Sequence, residues 1–139
     1  MNVQTVAPDT AQQTVRRYAD ETLAAIGTAA HWGPGNGLPN VNPEPCDGQG
    51  ADVYRMLGIY SVIIPAGQAL DTLHRLRDHW KQLGYTITEE RYFASPPSGD
   101  LTARNPADSF ELGLAAAAVE HAFVLNVSSP CYRSATPLN

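Results

Sequence analysis

The residues best spaced for chemistry lie between positions 67 and 83, where Asp71, His74, Asp78 and His79 follow one another at short intervals. On a helix, residues three and four apart share a surface, so His74 and Asp78 with a distant third ligand could hold zinc. The same stretch sets Arg75 four residues after Asp71 and contains no His-x-x-x-His. A solvated face of alternating charge accounts for that pattern better than a metal. Glu120 and His121 are adjacent, and neighbours on a strand point to opposite faces, which separates an acid from its base. Ser128 and Ser129 sit in no Gly-x-Ser-x-Gly elbow. Gly33, Gly35 and Gly37 imitate a nucleotide loop, but no strand leads into them and no helix follows. Nucleophile, base and orienter cannot be assembled, so no catalytic, cofactor-binding or metal-binding residue is assigned.

The chain has two cysteines, Cys46 in Glu-Pro-Cys-Asp-Gly and Cys131 in Ser-Ser-Pro-Cys-Tyr. Neither lies in a Cys-x-x-Cys or a zinc spacing. Both fall in polar, proline-flanked segments rather than in apolar core runs, which favours a disulfide over two unrelated buried thiols. A staple spanning so much of the chain would stabilise by about 4–5 kcal/mol on the chain-entropy account. It also predicts an oxidising compartment, extracellular or in the cell envelope.

Composition narrows the partners. The 139 residues carry a net charge of −5 with nine Lys and Arg, so nucleic acid and anionic membrane surfaces are poor targets. Charged residues make up 17% of the chain against a norm of about 25%, and 43% are apolar. One domain with a true core is expected at this length. No apolar run is long enough to span a bilayer, and the first residues lack the basic and apolar regions of a signal peptide.

These residues must be positioned by an α+β domain. Residues 1–30 read as a loose tail and a helix over 10–27, capped by Asp9 or Thr10, striped by Ala11, Val15, Tyr18, Ala19, Leu23 and Ile26, and stopped by Gly27. Residues 31–50 form a Gly/Pro-rich loop, long enough to be functional or a linker. Residues 51–133 form the core. A strand over 53–64 has Leu57, Ile59 and Ile63 on one face and Met56, Tyr60, Val62 and Ile64 on the other, so both faces read as covered. A helix over 67–83 follows, striped by Leu70, Leu73, Leu76, Trp80 and Leu83 and stopped by Gly84. Strands over 85–93, 100–105, 109–115 and 121–128 complete the order α-β-α-β-β-β-β, a mostly antiparallel five-stranded sheet with two helices packed on one face. The disulfide would make the first and last strands antiparallel neighbours. A meander of the last four then sets the second strand parallel to the first across a helical crossover.

The strongest contact candidates are aromatic. His31 and Trp32 open the Gly/Pro-rich loop, where an exposed aromatic can anchor a partner or a sugar, and Trp32 folded back as a lid on the core is the plainer reading. Tyr54, Tyr60, Tyr85 and Tyr92 line the sheet, with Tyr60 and Tyr92 taken as further contacts.

The segment from Leu70 to Cys131 resembles small exported proteins and lipoproteins of high-GC Gram-positive bacteria. The shared features are Trp80-Lys-Gln-Leu-Gly84-Tyr85 at a helix end, Thr86-Ile87-Thr88, Leu101-Thr102-Ala103, Asp108-Ser-Phe110-Glu-Leu112 and a final Ser129-Pro130-Cys131. The resemblance implies export and leaves room for a lipid anchor on a precursor, although this chain has no cysteine near its start. It implies no catalytic role. The expectation is an exported, non-catalytic binding or structural domain that recognises a protein partner or small ligand through its sheet or the 31–50 loop. An inhibitor or immunity-type protein, steering a basic partner with Asp47, Asp52, Glu89 and Glu90, is the alternative, with a small hydrolase third. The long hinge after the first helix leaves room for a homodimer by exchange.

Overall fold

The computed structural model describes residues 3–27, 29–33, 40–46, 50–118 and 121–135. Among them the chain runs α1 (Pro8–Ile26), β1 (His31–Trp32), β2 (Asn40–Pro45), β3 (Val53–Ile63), α2 (Ala69–Gln82), β4 (Thr86–Ala94), β5 (Pro97–Arg104), β6 (Glu111–Ala116), β7 (Ala122–Ser128) and β8 (Tyr132–Arg133). The α+β class holds. The sheet has eight strands rather than the five read from the sequence, ordered β1-β3-β7-β6-β5-β4, with β2 and β8 also on β3.

The three additional strands all pair with β3. Eleven residues long, it offers more ladder than β7 alone can fill. The short β1 and β2 pair with it at His31–Ile63 and over Asn40–Pro45, and β8 at Tyr54–Tyr132. β2 lies in the stretch read as structureless because it contains Pro43 and Pro45, yet proline is tolerated in a strand at a sheet edge.

The N-terminal tail is also held. Thr5 pairs in parallel with Arg133, the Val6 N–H donates to the Arg133 carbonyl at 3.0 Å, and the Tyr54 hydroxyl donates to the Val6 carbonyl at 2.5 Å. α1 then starts at Pro8, with Ala7 rather than Asp9 or Thr10 at the cap and no side-chain capping bond. Proline suits that first position, since its missing N–H would go unbonded anyway.

Both helices stop at glycine. Gly27, at φ +132°, donates to the Leu23 carbonyl. At the end of α2, Gly84 at φ +85° donates to Lys81 and Tyr85 donates to Trp80, the paired bonds of a Schellman ending.

The topology follows the disulfide argument. Cys46 and Cys131 are bonded, 85 positions apart in the chain with Cα atoms 6.2 Å apart. β3 and β7 are antiparallel neighbours, Leu57 facing Ser128 and Ile63 facing Ala122. β7, β6, β5 and β4 form the meander, so β4 runs parallel to β3 from the opposite side of the sheet, with α2 as the crossover.

Both helices cover the same face. Ala11, Val15, Tyr18, Ala19 and Ile26 of α1 and Leu73, Leu76 and Trp80 of α2 share one core with Tyr54, Met56, Tyr60, Val62, Leu101, Leu112, Leu114, Phe123, Leu125 and Val127 from the sheet. Tyr18 joins the layers. Its ring stacks on Phe110 with centroids 5.0 Å apart, and its hydroxyl bonds the Asp108 carboxylate and accepts from Asn105 Nδ2 at 2.7 Å. Burial and the Asp108 bond together raise its pKa. Two glycines let backbone and side chains approach closely. A β-carbon at Gly58 would meet Val15 and Tyr60, and one at Gly99 would collide with the Arg91 carbonyl and Leu73.

Candidate binding surface

With both helices on one side, the other side of the sheet has no covering layer among the described residues. The alternating positions of β3 that turn away from the core are Arg55, Leu57, Ile59, Ser61 and Ile63. Leu57, Ser61 and Ile63 are partly exposed and Ile59 is 40% exposed. This corrects the expectation that β3 is covered on both faces. Two helices suffice for one face only.

The ladder registers turn that face into a lattice of rows. One row runs Ile59, Asn126, Gly113, Thr102; the next runs Ser61, Val124, Ala115, Asp100; a third runs Leu57, Ser128, Glu111, Arg104. The middle of the face, Ile59, Val124, Gly113 and Ala115, is small or apolar apart from the Asn126 amide, and Glu111 and Arg104 put charge in the third row. Ion pairs frame it. At one end Arg55 donates to Glu44 through Nε and Nη2, at 2.9 and 2.6 Å. At the other, Arg91 meets Asp100 at 2.6 Å and Glu89 at 3.6 Å. An apolar centre with a charged rim is the anatomy of a protein-binding surface.

The sequence-derived contact residues do not gather in one place. Trp32 turns inward and packs at a tilt against Tyr60, centroids 4.9 Å apart at 30°, as the lid on the core. Tyr60 is buried, its hydroxyl has no hydrogen-bond partner among the described residues, and burial pushes its pKa up to about 12. His31 is exposed on the uncovered side, beside Ile63. Tyr92 lies far away on β4, where its ring meets His74 edge-on at 5.0 Å and its hydroxyl bonds Glu90. That bond, with the Arg77 guanidinium at 3.0 Å, holds the Glu90 carboxyl below its ordinary value. Leu57, Ile59 and Ile63, read from the sequence as one covered face of the strand, and Val124 were not among the expected contacts. The available signal was the interruption of an apolar strand by Arg55 and Ser61 on the same face.

The candidates for chemistry stay apart as well. His74 contacts Tyr92, whereas Asp78 pairs with Arg77 at 3.2 Å. Among the described residues no three His, Cys, Asp or Glu side chains could hold a metal ion. Glu120, Gly35, Gly37 and Asp47 lie outside the described residues. Asp52, Glu89 and Glu90, the other acids of the inhibitor reading, are engaged with Arg133, Arg91 and Arg77. A cleft of about 380 Å³ between the end of α1 and the start of α2 includes Gly27, Gln68, Thr72 and Arg75, but Arg75 is occupied in donating to the Ile26 carbonyl. A second, of about 400 Å³ beside the disulfide, is lined by Arg55, Arg104, Ser109, Glu111, Ser128 and Ser129. There Ser109 accepts from Arg104, and Ser129 accepts from the Met56 N–H, so neither hydroxyl is paired with a base.

No family model matches this chain, and no curated protein or solved structure matches it either.

Proposed function

We propose that this chain is an exported, non-catalytic binding domain of the bacterial cell envelope, and that it meets a protein partner through the uncovered face of its sheet. The observation that carries the reading is that face itself, with Ile59 at its centre among Leu57, Ile63 and Val124, inside a frame of ion pairs. The Cys46–Cys131 bond supports an oxidising compartment, where such bonds persist. Among the described residues no helix is long and apolar enough to cross a membrane.

The test is a photo-crosslinking side chain at position 59, with position 13 on the wet side of α1 as control, in intact cells of the native host. A discrete protein adduct is expected from position 59, absent from position 13 and lost when Leu57→Lys is added without change in Tm. Equal labelling from both positions, or an adduct indifferent to Leu57→Lys, would sink the reading.

A further inference from the structure

The free edge of β4 carries a second surface, which shares with the face above only the Glu89 and Arg91 of its rim. Among the described residues β4 is hydrogen-bonded to β5 alone. It is nine residues long and has no proline, so one side of its backbone offers unpaired N–H and C=O groups, a template for another strand. Four large apolar side chains stand exposed among the described residues. Two belong to this strand, Tyr92 at 39% and Phe93 at 40%, and a third, Leu83 at 50%, ends α2 shortly before it.

We propose that two copies of this chain join edge to edge through β4, antiparallel about Glu90, so that Arg91 of each copy faces Glu89 of the other. The charges on β4 select that register. Directly opposed residues in an antiparallel pair lie on the same face, and opposite charges there stabilise while like charges destabilise. Centred on Glu90, the pairing adds two reciprocal Arg91–Glu89 contacts between copies to the Arg91–Glu89 and Arg91–Asp100 pairs within each. Centred on Glu89 or Arg91, it likewise sets two like charges against each other on the axis and gains no opposite-charge pair between copies. In the favoured register the two Glu90 carboxylates meet at the axis, but each brings its own counter-charge, Arg77 at 3.0 Å, and its own Tyr92 hydroxyl bond.

The helical layer permits this approach. α2 lies chiefly over β5, with Leu73 against Gly99. With strands about 4.8 Å apart, the two β5 strands would be about 14 Å apart across the seam. That exceeds the roughly 8–10 Å of helices in contact, so the two α2 helices clear one another. The register shift between Ile87 and Glu89 limits the matched seam to about five residues per copy, 88–92. A short seam makes a weak, reversible dimer. It is a second-copy contact and does not depend on what the uncovered face binds.

Sedimentation of the full chain over a concentration series tests this. The mass should rise from 15.0 kDa toward twice that value, less readily at high salt. Glu89→Arg and Arg91→Glu should each weaken self-association by about tenfold or more. Mixing the two variants should restore it, because each then meets the opposite charge at both contacts. Circular dichroism of each variant checks that the fold is kept. A wild-type chain that stays at 15.0 kDa up to about 1 mM, a dimer unmoved by either reversal, or two reversals that fail to pair when mixed would each overturn the proposal.

Discussion

Beyond β3 the sheet ends in two short strands, one of which carries Pro43 and Pro45, and Cys46 at its end is bonded to Cys131. Beyond β5 it ends in β4, unbroken by proline, with Glu89, Glu90 and Arg91 along it. Prolines, brevity and a covalent tie keep other strands off the first edge. The second edge relies on charge, which refuses most partners and admits one with the complementary pattern. The difference teaches that a sheet can close one side for stability and leave the other selective.

The largest test acts on the tied edge. Reducing the disulfide, or replacing both cysteines by serine, should cost about 4–5 kcal/mol on the chain-entropy account. Urea unfolding reads the total. Hydrogen exchange reads its place: protection should fall first in residues 40–46 and 53–57 and persist in β5 and β6. Uniform loss across the sheet would erase the contrast between the edges.

A smaller effect is expected on the open side. Gly99→Val forces a side chain against the Arg91 carbonyl and Leu73, and should destabilise by about 1–3 kcal/mol. The loss should concentrate in the β4–β5 ladder and leave the β2–β3 pairing intact.

The smallest concerns Glu90. Its folded pKa lies below the ordinary value of 4.5, first through the Tyr92 hydroxyl and then through Arg77. Its contribution is therefore full above about pH 4.5 and is lost as pH falls through the lower folded value. Glu90→Gln should flatten the acid limb of stability against pH in dilute protein, where self-association does not intrude. An unchanged acid limb would show that the cluster does not stabilise the edge.

Much of this architecture was legible in the residues. The helical stripes of Val15 and Leu73, the glycine stops at 27 and 84, and the alternation of Phe123, Leu125 and Val127 each depend on neighbours close in sequence. Strand order could be deduced because one long-range contact, Cys46 with Cys131, was readable. The two-residue strands β1 and β8 were not, since only β3 makes them strands. In β2 the prolines read as loop because an edge cannot be known before the sheet is assembled. The uncovered face was hidden for a related reason. Leu57, Ile59 and Ile63 are as apolar as Met56, Tyr60 and Val62, and the count of helices, not the strand's composition, decides which set stays exposed.

The position of β7 has a consequence for biosynthesis. This strand lies between β3 and β6, although it is made after both. Until residues 122–128 leave the ribosome, the sheet is two unjoined pieces with a gap between them. Such distant pairings close slowly. The sheet thus cannot be joined before residue 128 is made, and the sulfur that locks the structure emerges three residues after the strand that fills the gap.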